Sequence, residues 1–130
     1  MAKVEPHPIL SGGIANGAAL AGTIDALRAQ AGWDQRVPSI TLDLNGEHAR
    51  ASEWGNALTH LIARSPVYQE IAVEVPALSF GDTGAASGAV AACMALHAFA
   101  RGYAASDTVA IVNASDGGTR TAFLLRAPGA

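Results

Sequence analysis

From Thr83 to Ala100 the chain carries no Asp, Glu, Lys or Arg, and most of the residues there are Ala, Gly, Ser or Thr. Gly81, Gly84 and Gly88 open the stretch, with Asp82 as the carboxylate in the turn. A helix that is apolar on every side has to be covered on every side, by a core or by lipid. The span is about as long as a bilayer crossing requires. Ala gives little insertion energy beside Leu or Ile, and His97 lies near the end of the stretch. The sequence therefore predicts a close-packed helix in a soluble core, with no membrane partner.

What surrounds that helix alternates. Leu20, Ile24 and Leu27 form an apolar stripe over residues 16–32, with Asp25 and Arg28 outside it and Gly32 as a stop. Residues 37–44, with Val37, Ile40, Leu42 and Leu44, read as a strand. A second helix is predicted over 50–64, with Trp54, Leu58, Leu61 and Ile62 on one side and Pro66 beyond its end. Residues 70–75 alternate as a strand through Ile71, Val73 and Val75. After the Ala-rich helix, residues 107–115 and 119–127 form two strands joined by Asp116-Gly117-Gly118, a hairpin turn with glycines free to take positive φ. Strands alternating with helices predict an α/β fold: a mixed, mostly parallel sheet with helices on both faces and a C-terminal β-hairpin. The 130 residues fit one domain, 1–130. Little room precedes the first helix, so the first strand is expected to be very short or cut off.

Only 15% of the chain is charged, against roughly 25% in an average soluble domain. So few charges imply that another protein, or another part of the same one, covers some of the surface. The net charge of −3 and the lack of any Lys/Arg run argue against nucleic acid and anionic membrane. Cys93 is the only cysteine, which leaves no disulfide framework or metal knuckle. It lies well inside the helix and is expected to be a small core residue. The N-terminus shows no secretory signal, and a cytoplasmic location is expected.

The glycines at 81, 84 and 88 fit neither the dinucleotide pattern nor the phosphate loop, which needs a following Lys-Ser/Thr. Their turn could hold an anion at a helix N-terminus, but Asp82 stands where it would cap the helix and occupy those donors. Capping and tight packing is the reading adopted. No GxSxG surrounds Ser79 or Ser87, and His7, His48, His60 and His97 are too scattered for a metal site. Asp43, Asn45, Glu47 and His48 fall where a strand ends and a helix begins, the usual place for function in an open α/β sheet. On spacing alone, a polar loop turned by Asn45-Gly46 is the better reading of them.

Taken in order, residues 12–32, 40–58, 79–96 and 113–125 resemble the C-terminal half of a β-ketoacyl-acyl carrier protein synthase of the thiolase superfamily. The second segment is similar to that family's strand, His-Gly-Thr loop and helix. The third is similar to its Gly-His-x-Gly-Ala-Ala-Gly segment, and the fourth to its closing Gly-Gly-Thr-Asn loop. The resemblance implies a half with βαβαβαββ order, which in the family packs against a similar half in α/β/α/β/α layers. It also places the family's two catalytic histidines at Asn45 and Asp82, and its lysine near Ala77. The nucleophilic cysteine belongs to the other half, and Cys93 does not stand in its position.

Decarboxylative condensation develops negative charge on a thioester oxygen, which neutral or cationic donors must meet. An aspartate there opposes the reaction, so no catalytic residue, cofactor or metal is expected, and Gly46, Gly81, Thr83, Gly84, Gly117 and Gly118 remain as binding positions. The resemblance implies a non-catalytic domain acting through protein–protein contact, as a homodimer or with a separate N-terminal half. Asn45 to Gly55 resembles accessory proteins of bacterial type VI secretion, for which the partner is an effector. An acyl carrier protein is the partner if the chain instead serves as an acyltransferase, active only with an N-terminal half that supplies the cysteine. A small-molecule pocket near Asn45, Asp82 and Gly117-Gly118 is a third reading.

Overall fold

The computed structural model describes residues 1–6, 15–31, 39–82 and 84–129. Its strands are β1 (Ala2–Val4), β2 (Ser39–Leu42), β3 (Val73–Glu74), β4 (Thr108–Ala114) and β5 (Thr119–Arg126). Its helices are α1 (Ala18–Ala31), α2 (His48–Arg64), the single turn α3 (Ala77–Phe80) and α4 (Ser87–Arg101). The strands form one sheet in the order β1-β5-β4-β2-β3.

Strand alternation decides which residue meets which helix. Register aligns Ile40 with Ala110 and Leu42 with Val112, and then Ala110 with Leu124 and Val112 with Ala122. This face packs under α1 and α2, through Leu20, Ile24, Leu27, Ala57 and Leu61. The alternate residues Val109 and Ile111 face the other way and pack against Ala91 and Ala95 of α4, with Leu125 at the margin. Helices thus lie on both faces. Gly17 lets α1 begin hard against α2: its φ is +79°, and a Cβ there would sit 2.3 Å from the Ala57 nitrogen.

The sheet is mixed but not mostly parallel. β2 runs parallel to β3 and β4, while β4–β5 and β1–β5 are antiparallel. The first strand is three residues long and lies at the edge beside β5, away from the parallel set. Its register is held by Glu5 N–H donating to Gly118 O at 2.7 Å and by the Met1 amino group donating to Ala122 O at 2.7 Å. The strand expected over 70–75 shrinks to Val73–Glu74, because Pro66–Glu70 forms a 3₁₀ turn. That turn buries the Tyr68 ring, with the Arg28 guanidinium 5.7 Å above it.

Two expectations about side chains are also corrected. Cys93 is exposed, on the side of α4 turned away from the sheet. The buried stripe of α2 is Glu53, Ala57 and Leu61, with Trp54 and Ile62 only partly covered. The stripe is centred on Glu53 because that carboxylate meets a buried cation. Arg120 donates from Nε to Glu53 Oε1 at 2.6 Å and from Nη2 to Oε2 at 2.9 Å, and both side chains are almost fully buried. Its Nη1 donates to Ser115 O at 2.7 Å.

Removing one partner strands the other charge in the core. Glu53→Ala is expected to lower stability by about 3–5 kcal/mol, and replacing both residues with apolar ones of similar volume to recover most of that loss. Urea denaturation of the two variants checks this.

Candidate functional site

β2 and β4 run parallel, and their carboxyl ends open at the same edge of the sheet. Backbone polar groups are released there, and ligands of open α/β sheets bind in the crevice outside those ends. The chain leaving β2 supplies Asp43 and Asn45, the first turn of α2 supplies Arg50, and the loop between α3 and α4 supplies Asp82. A groove of about 520 Å³ runs past these residues, between the start of α4 and the β4–β5 turn, with Asp116 and Thr119 on its far wall.

Asn45 and Asp82 meet across this groove. Asn45 Nδ2 donates to Asp82 Oδ2 at 3.1 Å, while Asn45 Oδ1 accepts Glu47 N–H at 3.1 Å. Asp82 Oδ1 accepts Gly84 N–H at 2.8 Å, in a turn where Gly81 and Gly84 take φ of +73° and +55°, values that side chains disfavour. Asp82 therefore closes the 3₁₀ turn Gly84–Ala86 and does not cap α4, whose N-cap is Ala86 with no side-chain bond. The Gly84 N–H, and after it the Asn45 amide, hold the Asp82 carboxyl below the ordinary aspartate value.

Arg50, part of the Asn45–Gly55 pattern but given no role by it, is the hub. Its Nη1 donates to Ala114 O at 2.6 Å and to Asp43 Oδ2 at 3.3 Å, its Nε to Glu47 Oε2 at 3.0 Å, and its Nη2 to Asp116 Oδ1. Asp43 Oδ2 also accepts Ala114 N–H at 2.7 Å, which locks the end of β4 to the end of β2. Burial raises the Asp43 pKa, and the Ala114 N–H and the Arg50 charge offset only part of that rise. Asp43, Glu47 and Asp116 thus bond one guanidinium, each of whose three nitrogens has a protein acceptor, and Asp82 lines the same groove. The groove is left negative.

The other expected positions lie around this hub or away from it. Gly46 is exposed in the turn before α2. Gly118 is buried and bonded through its carbonyl to Glu5, and neither it nor Gly117 lines the groove. Ala77, at the expected lysine position, lies in α3, and the chain's only lysine, Lys3, is on β1 beside Gly22 of α1. Thr83 and His7 fall outside the described residues. His48 pairs with Ser52, His60 with Asn16 O and His97 with Tyr103, each away from the groove. Among the described residues, no three His, Cys, Asp or Glu are grouped to hold a metal ion, and no helix is long and apolar enough to cross a membrane.

Comparison with protein-family models, with curated proteins and with solved structures found no match.

The two carboxylates should titrate on opposite sides of the ordinary aspartate value. Asp82, with its folded pKa lowered, adds stability that is present above that value and lost as pH falls through the folded pKa. Asp43, with its folded pKa raised, opposes folding as pH rises from the ordinary value through the folded one. Carboxyl-carbon NMR titration is expected to show both directions, and Asn45→Ala to move Asp82 up while leaving Asp43 in place.

Proposed function

We propose that the chain is a non-catalytic, thiolase-like domain that works by binding another protein. One observation carries this reading: the two positions at which the resemblance expects oxyanion donors hold each other. The Asn45 amide points at the Asp82 carboxylate, and the remaining Asp82 oxygen is tied to the backbone of its own turn. A thioester oxygen gaining negative charge in this groove would face Asp82, Asp43, Glu47 and Asp116. Arg50, the cation nearest to all of them, is already committed to that set.

Along the chain the element order is β-α-β-α-β-α-β-β with short turns inserted, the order the resemblance implies, although β1 joins β5 antiparallel at the sheet edge and not the parallel set. Uncovered apolar residues agree with a binding role: Leu78 and Phe80 on α3 are 88% and 62% exposed, a few residues from the groove. The resemblance of Asn45–Gly55 to accessory proteins of type VI secretion makes a secreted effector the expected client.

The test is a malonyl-thioester decarboxylation assay on the purified chain. No release of CO₂ above the buffer rate is expected from the wild type or from Asp82→His, since loss of even one oxyanion donor removes about 10²–10³ in rate. Measurable turnover in either would overturn the non-catalytic reading and favour an acyltransferase completed by another half.

A further inference from the structure

Two Asn-Gly pairs occur in the chain, Asn16-Gly17 and Asn45-Gly46. Such a pair can react with itself. The backbone nitrogen of the glycine attacks the side-chain amide carbon of the asparagine, and a glycine has no Cβ to obstruct the approach. The five-membered ring closes only if the chain can swing that nitrogen round to the amide carbon. The surroundings of each glycine therefore decide which pair reacts.

Locally the two pairs are alike. Asn16 Oδ1 accepts Ala18 N–H at 2.9 Å and Asn45 Oδ1 accepts Glu47 N–H at 3.1 Å, and the glycines have φ of +79° and +91°. Each of those N–H groups sits on the oxygen that gains negative charge when the amide is attacked. Among the described residues, neither glycine N–H has an acceptor.

Their packing is opposite. Gly17 is buried, a Cβ there would sit 2.3 Å from the Ala57 nitrogen, and its carbonyl accepts Ala21 N–H at 2.9 Å. The carbonyls before it are pinned as well: Asn56 Nδ2 donates to Ala15 O, and His60 Nε2 pairs with Asn16 O, each at 3.1 Å. Turning that peptide means lifting α1 off α2. Gly46 is exposed, and nothing lies within 4 Å of where its Cβ would be. Beyond its own turn, Asn45 is tethered by the 3.1 Å bond from Nδ2 to Asp82, itself exposed in the loop before α4. That bond is open to water and can break without disturbing the core.

We propose that Asn45 is a self-modifying position, whose amide is converted to a carboxylate by the Gly46 nitrogen and water. The Gly46 nitrogen bonds to Cγ, the Cγ–Nδ2 bond breaks, and the amide nitrogen leaves as ammonia, carrying away the Gly46 proton. Water then adds to one of the two ring carbonyls and opens the succinimide, leaving aspartate or isoaspartate. No group is oxidised or reduced, and one negative charge is added to a chain of net charge −3. The donor that holds Asp82 is thereby replaced by a carboxylate, and like charges at that range repel. The loop before α4 is released from the end of β2, while Asp82 keeps its bond to Gly84 N–H. The groove thus has a state closed by the amide and a state opened irreversibly as the molecule ages. The inference uses neither the family resemblance nor the reading of the chain as a binding module.

The test holds the full chain in warm, mildly alkaline buffer, with samples digested by trypsin over time. Asn45 falls in the peptide of residues 37–50 and Asn16 in that of residues 4–28, so each pair is read separately. The peptide 37–50 should gain the mass of an amide-to-acid exchange and become a substrate for isoaspartyl methyltransferase. Asn45 is expected to convert at least about tenfold faster than Asn16, the ratio that an opening cost of only ~1.4 kcal/mol at Asn16 produces. In urea strong enough to unfold the chain, the two rates should converge. Equal rates in the folded chain overturn the proposal, and so does a selectivity that persists in urea. In aged protein, carboxyl-carbon NMR should show Asp82 titrating at higher pH than in fresh protein, and fresh Asn45→Asp should reproduce that shift. Conversion that leaves Asp82 unmoved overturns the release of the loop.

Discussion

The rest of the structure depends on a charge pair that water does not reach. Arg120 enters the interior from β5 and meets Glu53 of α2 in a two-pronged contact, while its remaining nitrogen reaches the Ser115 carbonyl at the start of the hairpin turn. A guanidinium in that position is tolerable only if every donor finds an oxygen. The pair therefore sets the rotation of α2 about its axis, the depth of β5 and the path of the turn together. No apolar contact in the core carries that much geometric information, because dispersion is weak per atom and indifferent to direction.

A second arginine extends the same logic to the groove. Once the turn after β4 is placed, Asp116 and the Ala114 carbonyl come within reach of Arg50, which also gathers Asp43 and Glu47. The two arginines stand on α2 and β5 and are linked through residues 114–116. A groove at the end of parallel strands is the common place for chemistry in this class of sheet. Here Arg50 is bonded to Asp43, Glu47 and Asp116, and Asn45 to Asp82, so the charged groups of the groove are engaged with one another. That pairing is the observation on which the proposal of a binding role rests.

The Ala-rich helix borders this groove. Ala91, Ala95 and Ala98 bring α4 close to the sheet, and the same smallness leaves its outer side flat and free of charge. Such a helix is poorly matched to water on that side, although nothing in its own packing demands a partner. The groove runs along its first turn and reaches Thr119 and Thr121 of β5.

Much of the fold was legible in the residues alone. Periodicity located α1, α2, the Ala-rich helix and the hairpin, because a stripe of Leu and Ile or a run of β-branched residues acts locally. The strand end at Asp43–Glu47 was legible as a candidate site for the same reason. The strand Val73–Glu74 was overestimated, since the local pattern of residues 70–75 competes with burial of Tyr68, a contact made with a distant helix. The pairings Arg50–Asp116 and Glu53–Arg120 were illegible: the partners lie 66 and 67 positions apart along the chain, and nothing in a local window marks a charge that will be buried. Cys93 was misplaced because an apolar helix does not announce which of its sides meets the sheet. By itself, then, the sequence determined the elements, their alternation and the absence of charge along α4. Tertiary structure alone decided that β1 would join the edge and that Asn45 and Asp82 would meet. Strand order and charge pairing depend on long-range free energies that no local run of residues encodes.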